Sequence, residues 1–170
     1  MDLHMQSHHL THRLPDWRAA ALSGVAGGVV FLVLDMLASM ITGNSAAQPL
    51  HMIAAIVMGS DALNATFNAN ILLAAVVVHF ALAIAMGLIL GLIMAPYHFD
   101  SSWGMASVVG AVFGLAVYFI NFYGMTQFFT WFADARGWIT AFAHIVFGIV
   151  MADAYVKLER KEGEADVSSQ

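Results

Sequence analysis

The chain has 170 residues, 61% of them apolar and only 10% charged, too little charge for a soluble domain of this length. A net charge of −5 on six Lys and Arg excludes a nucleic-acid surface, which needs a basic patch. With no cysteine, disulfides, thiolate zinc sites and iron–sulfur ligation are excluded as well.

Residues 1–16 form a polar, His-rich segment that reads as a disordered cytoplasmic tail. If it were helical, His4, His8 and His12 would lie one turn apart, a spacing that can bind a transition metal, with His9 beside them. Four apolar stretches follow, at about 17–42, 71–94, 103–125 and 138–156, each long enough to cross ~30 Å of hydrocarbon at ~1.5 Å per residue. The first is too long for a signal h-region and is followed by no small-residue cleavage site, so it reads as a retained span. Residues 49–59 begin with Pro and end with Gly, which predicts a short interfacial helix over the periplasmic mouth, with His51 as a candidate gate. Arg136 lies on that side too, a second gate candidate. All other basic residues flank the opposite ends, Arg13 and Arg18 before the first span and Lys157, Arg160 and Lys161 after the last. The positive-inside rule then puts both termini in the cytoplasm of a bacterial inner membrane. Trp17, Trp103, Trp131, Trp138, Tyr97 and Tyr155 fall near span ends, where an aromatic belt belongs, and Asp153 is placed to pair with Lys157 one turn on. The membrane domain covers 17–158, and 159–170 reads as an acidic disordered tail.

The spans repeat. Sliding the first onto the third so that Trp17 meets Trp103 also superposes Ala20 on Ala106, Gly24 on Gly110, Gly28 on Gly114 and Asp35 on Asn121. Sliding the second onto the fourth so that His79 meets His144 superposes Ala83 on Gly148 and Met86 on Met151. The predicted fold is therefore an all-α membrane protein, a four-helix bundle of two tandem helical hairpins related by a pseudo-twofold axis along the membrane normal. Counting from the helix starts leaves Asp35, His79, Asn121 and His144 in one layer roughly 10 Å below the periplasmic surface. Gly24, Gly28 and Asp35 share one face, Gly110, Gly114 and Asn121 the matching one, and such glycine stripes are where helix backbones approach. Gly148 continues the His144 face, and the Gly87/Gly91 pair is left for contacts between subunits.

The segments N-F-Y-G-M-T at 121–126, W-F-A-D-A-R-G-W at 131–138 and H-I-V-F-G at 144–148, with the P-L-H-M-I-A-A-I-V-M-G loop, resemble a family of small four-span bacterial inner-membrane proteins. The resemblance covers about 17–158 and implies the topology, the bacterial source and the loop helix, and no reaction.

Several function classes fit the polar layer. A carboxylate inside hydrocarbon is costly and marks a site by default, so Asp35 with His79 is a candidate couple for carrying protons or a small cation, with Asn121 and His144 completing the layer. The layer could instead hold four helices in register within a structural or accessory subunit of a larger membrane complex, or of a homo-oligomer in the lipid bilayer. Two histidines at one depth are also what a bis-His haem b needs, with Arg136 near a propionate. Asp35, His79 and His144 have the ligand types for a divalent metal. For a lipid-directed enzyme, Ser39 on the Asp35 face is the nearby nucleophile candidate.

Overall fold

The computed structural model describes residues 13–168, with side chains as far as 160, so His4, His8, His9 and His12 lie outside the described residues. Helix α1 (Trp17–Ile41) starts where the Asp16 carboxylate accepts from the amides of Arg18 and Ala19 at 2.9 and 3.0 Å. Helix α2 (Gln48–Met58) has Pro in its first turn and stops at Gly59, whose φ of 86° suits a residue without a Cβ. Asn68 caps α3 (Ala69–Met94) and Ser102 caps α4 (Trp103–Phe119), which is followed by a π-helical turn at Ile120–Gly124. The last helix is α5 (Trp138–Ser168). Helices α1 and α3, the stretch Trp103–Gln127 and the stretch Trp138–Arg160 are each long and apolar enough to cross a membrane. The protein is an all-α, multi-pass membrane bundle of four spans, with α2 lying across one end.

Helices this apolar on every side carry no polar-against-apolar pattern to choose an inward face, so small residues choose it. Between α1 and α3, a Cβ on Gly24 would strike the carbonyl of Ala83, and one on Gly87 the carbonyl of Ala20. Between α4 and α5, Gly110 and Gly148 abut each other's carbonyls, and Gly114 abuts that of His144. The two pairs join through α1 and α5, where a Cβ on Gly27 would lie 3.0 Å from the Cβ of Met151. By contrast, α3 and α4 touch only marginally, leaving a seam on that side of the bundle. Gly87 and Gly91 are thus used inside the protomer, Gly91 against Ala20, Pro15 and Tyr155, and not between subunits as their spacing suggested. The first hairpin needs this pair to close α3 onto α1.

The half of the bundle nearest the termini is closed. Ala20, Leu90, Met94, Met151 and Tyr155 have no exposed surface there. Tyr155 is therefore core and not belt: its hydroxyl accepts from the Asp16 amide and donates to Glu159, both at 3.3 Å. Trp17, Trp103, Trp138 and Tyr97 stay exposed near span ends. Arg13 ties this end together, bonding Asp100 at 2.9 Å and Glu159 at 2.5 Å, with the Asp100 side chain only 4% exposed. Arg13→Ala leaves the Asp100 and Glu159 carboxyls facing each other without the guanidinium between them and is expected to cost about 1–3 kcal/mol, measured as the shift of a denaturant unfolding curve in detergent. Asp153 does not pair with Lys157; its Oδ1 accepts from the Ser107 hydroxyl at 2.9 Å, linking α5 to α4. The stretch 159–168, expected as a disordered tail, continues α5 instead, because Glu, Arg, Lys and Ala extend a helix readily once a span has nucleated it.

Candidate functional site

Two cavities meet in the half of the bundle away from the termini. The outer one, about 250 Å³, is lined by polar groups including Ser39, Thr42, Asn44, Gln48, Asp134 and Arg136. The inner one, about 280 Å³, lies in the seam, with His79, Leu82 and Met86 of α3 on one side and Val117, Ile120 and Asn121 on the other. Phe31, His144 and Phe147 form its back wall. Asp35 lines both cavities, and Ile53, Phe122 and Phe132 stand with it at the junction. The four residues expected in one layer therefore do line one space, the inner cavity.

They do not form the expected pairs. His144 Nδ1 donates to the Thr140 carbonyl at 2.9 Å, which leaves Nε2 to accept from the Asn121 amide at 3.5 Å. His79 points its Nε2–H at the Gly28 carbonyl, 2.8 Å away, and not at Asp35. Both tautomers follow from the partner being a carbonyl, which can only accept. Among the described residues no hydrogen bond or ion pair reaches the Asp35 carboxylate. The Asp35/His79 couple read from the sequence is thus two separate groups: a histidine that latches α3 to α1, and a carboxylate facing cavity space.

The π-helical turn positions Asn121. Its wide ring bonds the Met125 amide to the Ile120 carbonyl, and the third span leaves α geometry at Phe119 where a continuous α-helix was expected. A π turn frees neighbouring carbonyls, and Arg136 takes one of them: Nε donates to Phe122 O at 2.6 Å while Nη2 donates to Thr126 at 3.0 Å. The guanidinium also lies 4.6 Å from the Tyr123 ring centre. Arg136 therefore lines the outer cavity as a strut and not as a free gate. Arg136→Ala is expected to destabilise the protein by about 1–3 kcal/mol and to loosen the Asn121–His144 contact, seen as accelerated amide exchange across 120–127.

Other assignments change. His51 lines neither cavity; its Nδ1 is fixed to the Ala62 carbonyl at 2.8 Å and its ring abuts Phe67, so it is no gate. Ser39 donates to the Ser45 carbonyl at 2.7 Å, closing the loop after α1, which occupies the hydroxyl a nucleophile would need. Among the described residues no three His, Asp or Glu side chains can reach one metal ion, because both histidines face backbone or Asn121. Haem b fits no better. Phe31 stands between the two rings, stacked on His79 with centroids 6.0 Å apart and edge-on to His144 at 4.5 Å, where a macrocycle would have to lie.

Phe31 was not singled out from the sequence, although it sits one helical turn before Asp35 and so on the same face. Trp131 was assigned to the belt; its indole N–H instead donates to the Met52 carbonyl at 3.1 Å, fastening the turn at Thr130–Ala135 to α2 above the cavities. Leu50, Ile53 and Ala54 bury α2 against Ile71 and Ala75 of α3, so this helix is a lid held by packing.

Fold and site together define a four-helix multi-pass membrane protein with a carboxylate-bearing cavity beneath a helical lid. Comparison with protein-family models, with curated proteins and with solved structures gave no match.

Proposed function

We propose that the chain is a bacterial inner-membrane protein, both termini cytoplasmic, that handles protons or a small cation at Asp35, reached from the periplasmic side through the outer cavity. One observation carries this reading: a carboxylate at span depth, with no partner among the described residues, stands where a cavity edged by several polar side chains meets a more apolar one. Holding an unpaired carboxylate there is costly, and a protein with only packing needs would place Asn, as it does at Asn121. The closed half toward the termini makes Asp35 the end of a one-sided path, so the site binds and exchanges from outside and does not conduct through the protomer.

The histidines support a second, structural role beside it, since each is satisfied by a backbone carbonyl on its own or a neighbouring helix. In this reading His79 and His144 hold the walls and Asp35 does the exchange. We also read the chain as a duplicated hairpin akin to the small four-span bacterial family. The contacts of Gly24 with Ala83 and of Gly110 with Gly148 support it, since these are the positions that the superposed spans equate.

The chain has no cysteine, so a single Asp35→Cys variant tests the path directly. A small membrane-impermeant thiol reagent is expected to label it when added outside right-side-out vesicles and not when added outside inverted ones. Labelling from the terminal side alone, or from neither, would remove the reading.

A further inference from the structure

The inner cavity has a composition that an inorganic ion does not want. A hard cation needs several oxygen ligands, and here only Asp35 and Asn121 bring side-chain oxygens to the wall while most backbone carbonyls there are held in helices. Most of the remaining wall is apolar, with Phe31, Phe122, Phe129, Phe132 and Phe147 lining the same cavity as the carboxylate. Ring faces attract a weakly hydrated organic cation within about 6 Å of their centres, most strongly where water is excluded. His79 adds an acceptor, since Nε2 carries the proton to Gly28 and leaves Nδ1 as a lone pair with no partner among the described residues. A negative charge, ring faces and unshared acceptors all complement a positive, apolar molecule.

Entry is lateral. The marginal contact between α3 and α4 leaves a seam edged by Leu82 and Ile120, which are 49% and 58% exposed on the surface that faces hydrocarbon. If the two hairpins were arranged symmetrically, α3 would press on α4 as α1 presses on α5; only the second contact is extensive.

From this geometry we propose that the inner cavity binds a lipophilic organic cation, its head at the Asp35 carboxylate among the phenylalanine rings and its apolar part in the α3–α4 seam. The proposal rests on Asp35 being the exchanging group and adds the class of what it binds.

Radiolabelled octyltrimethylammonium equilibrated with the full chain in lipid nanodiscs tests it, empty nanodiscs giving the partitioning background. Saturable binding is expected, weakened at least about tenfold by Asp35→Asn, with decanol displacing the cation at least about tenfold less well than unlabelled cation does. Leu82→Trp, at the exposed edge of the seam, is expected to slow association of the cation, and an unchanged rate would remove the lateral route. A flat titration, equal binding in Asp35→Asn, or equal displacement by decanol would overturn the proposal, the last showing a plain acyl-chain groove. A flat titration together with a dimeric mass that Leu82→Trp returns to monomer would show that a second copy of the chain covers the seam. If outside labelling of Asp35→Cys succeeds and the cation does not bind, the ligand class fails alone; if labelling fails too, the exchange reading falls with it.

Discussion

Asp35→Asn is expected to lower proton or cation exchange at least about tenfold while leaving the protein as stable as before, or slightly more so. The two halves of this result have one cause. A contact to a charged group is worth about 1.5–3 kcal/mol, or roughly ten- to a hundredfold in binding, and that contact disappears with the charge. Stability has nothing to lose, because no described residue donates to the Asp35 carboxylate, and removing a charge from an apolar surround relieves a cost. Loss of function with an unshifted or raised unfolding midpoint is the signature of a site held at the expense of the fold. A loss of both would mark Asp35 as structural. His144→Ala is the contrast, since it vacates a buried ring and its bonds to Thr140 and Asn121, and a drop in stability is expected first.

Gly114→Val is expected to destabilise the bundle by about 2–4 kcal/mol and to disrupt the inner cavity with it. A Cβ at this position meets the His144 carbonyl and lies 3.2 Å from the Gly148 amide nitrogen, so relief requires helix axes to move, not a side chain to turn. Moving α4 from α5 separates Asn121 from His144, whose contact at 3.5 Å is already long. Gly104→Ala supplies an internal control on the same helix: nothing lies within 4 Å of its Cβ, and a change within about 1 kcal/mol, toward greater stability, is expected. Unfolding in mixed micelles measures both, and equal effects would show that α4 and α5 are not held by close backbone approach.

The spans could be read from the sequence because hydrocarbon thickness sets a length that few other segments reach, and the glycine stripes because close helix approach demands them. Placing Asp35, His79, Asn121 and His144 at one depth needed only residue counts, and they line one cavity. Their bonding could not be counted. His79 turns to Gly28 because the small Gly28 and Ala83 let α1 and α3 come close enough for a backbone carbonyl to reach the ring. The π turn at Ile120–Gly124 leaves no mark in an apolar pattern, and it alone brings the Phe122 carbonyl to Arg136. Nor could the seam be foreseen, since a repeated sequence implies two equivalent contacts and the chain makes only one of them extensively. Gly87 and Gly91 misled for a related reason: a small-residue pair indicates close approach without saying whether the neighbour belongs to the same chain.

The central claim is that Asp35 exchanges its proton with water on the loop side of the bundle. The most direct measurement is infrared difference spectroscopy of the protein in lipid across a pH titration, following the C=O stretch of a protonated carboxyl. The expected result is a carboxyl band that appears and vanishes reversibly in the native chain and is missing in Asp35→Asn. Identical difference spectra from the two proteins would contradict it.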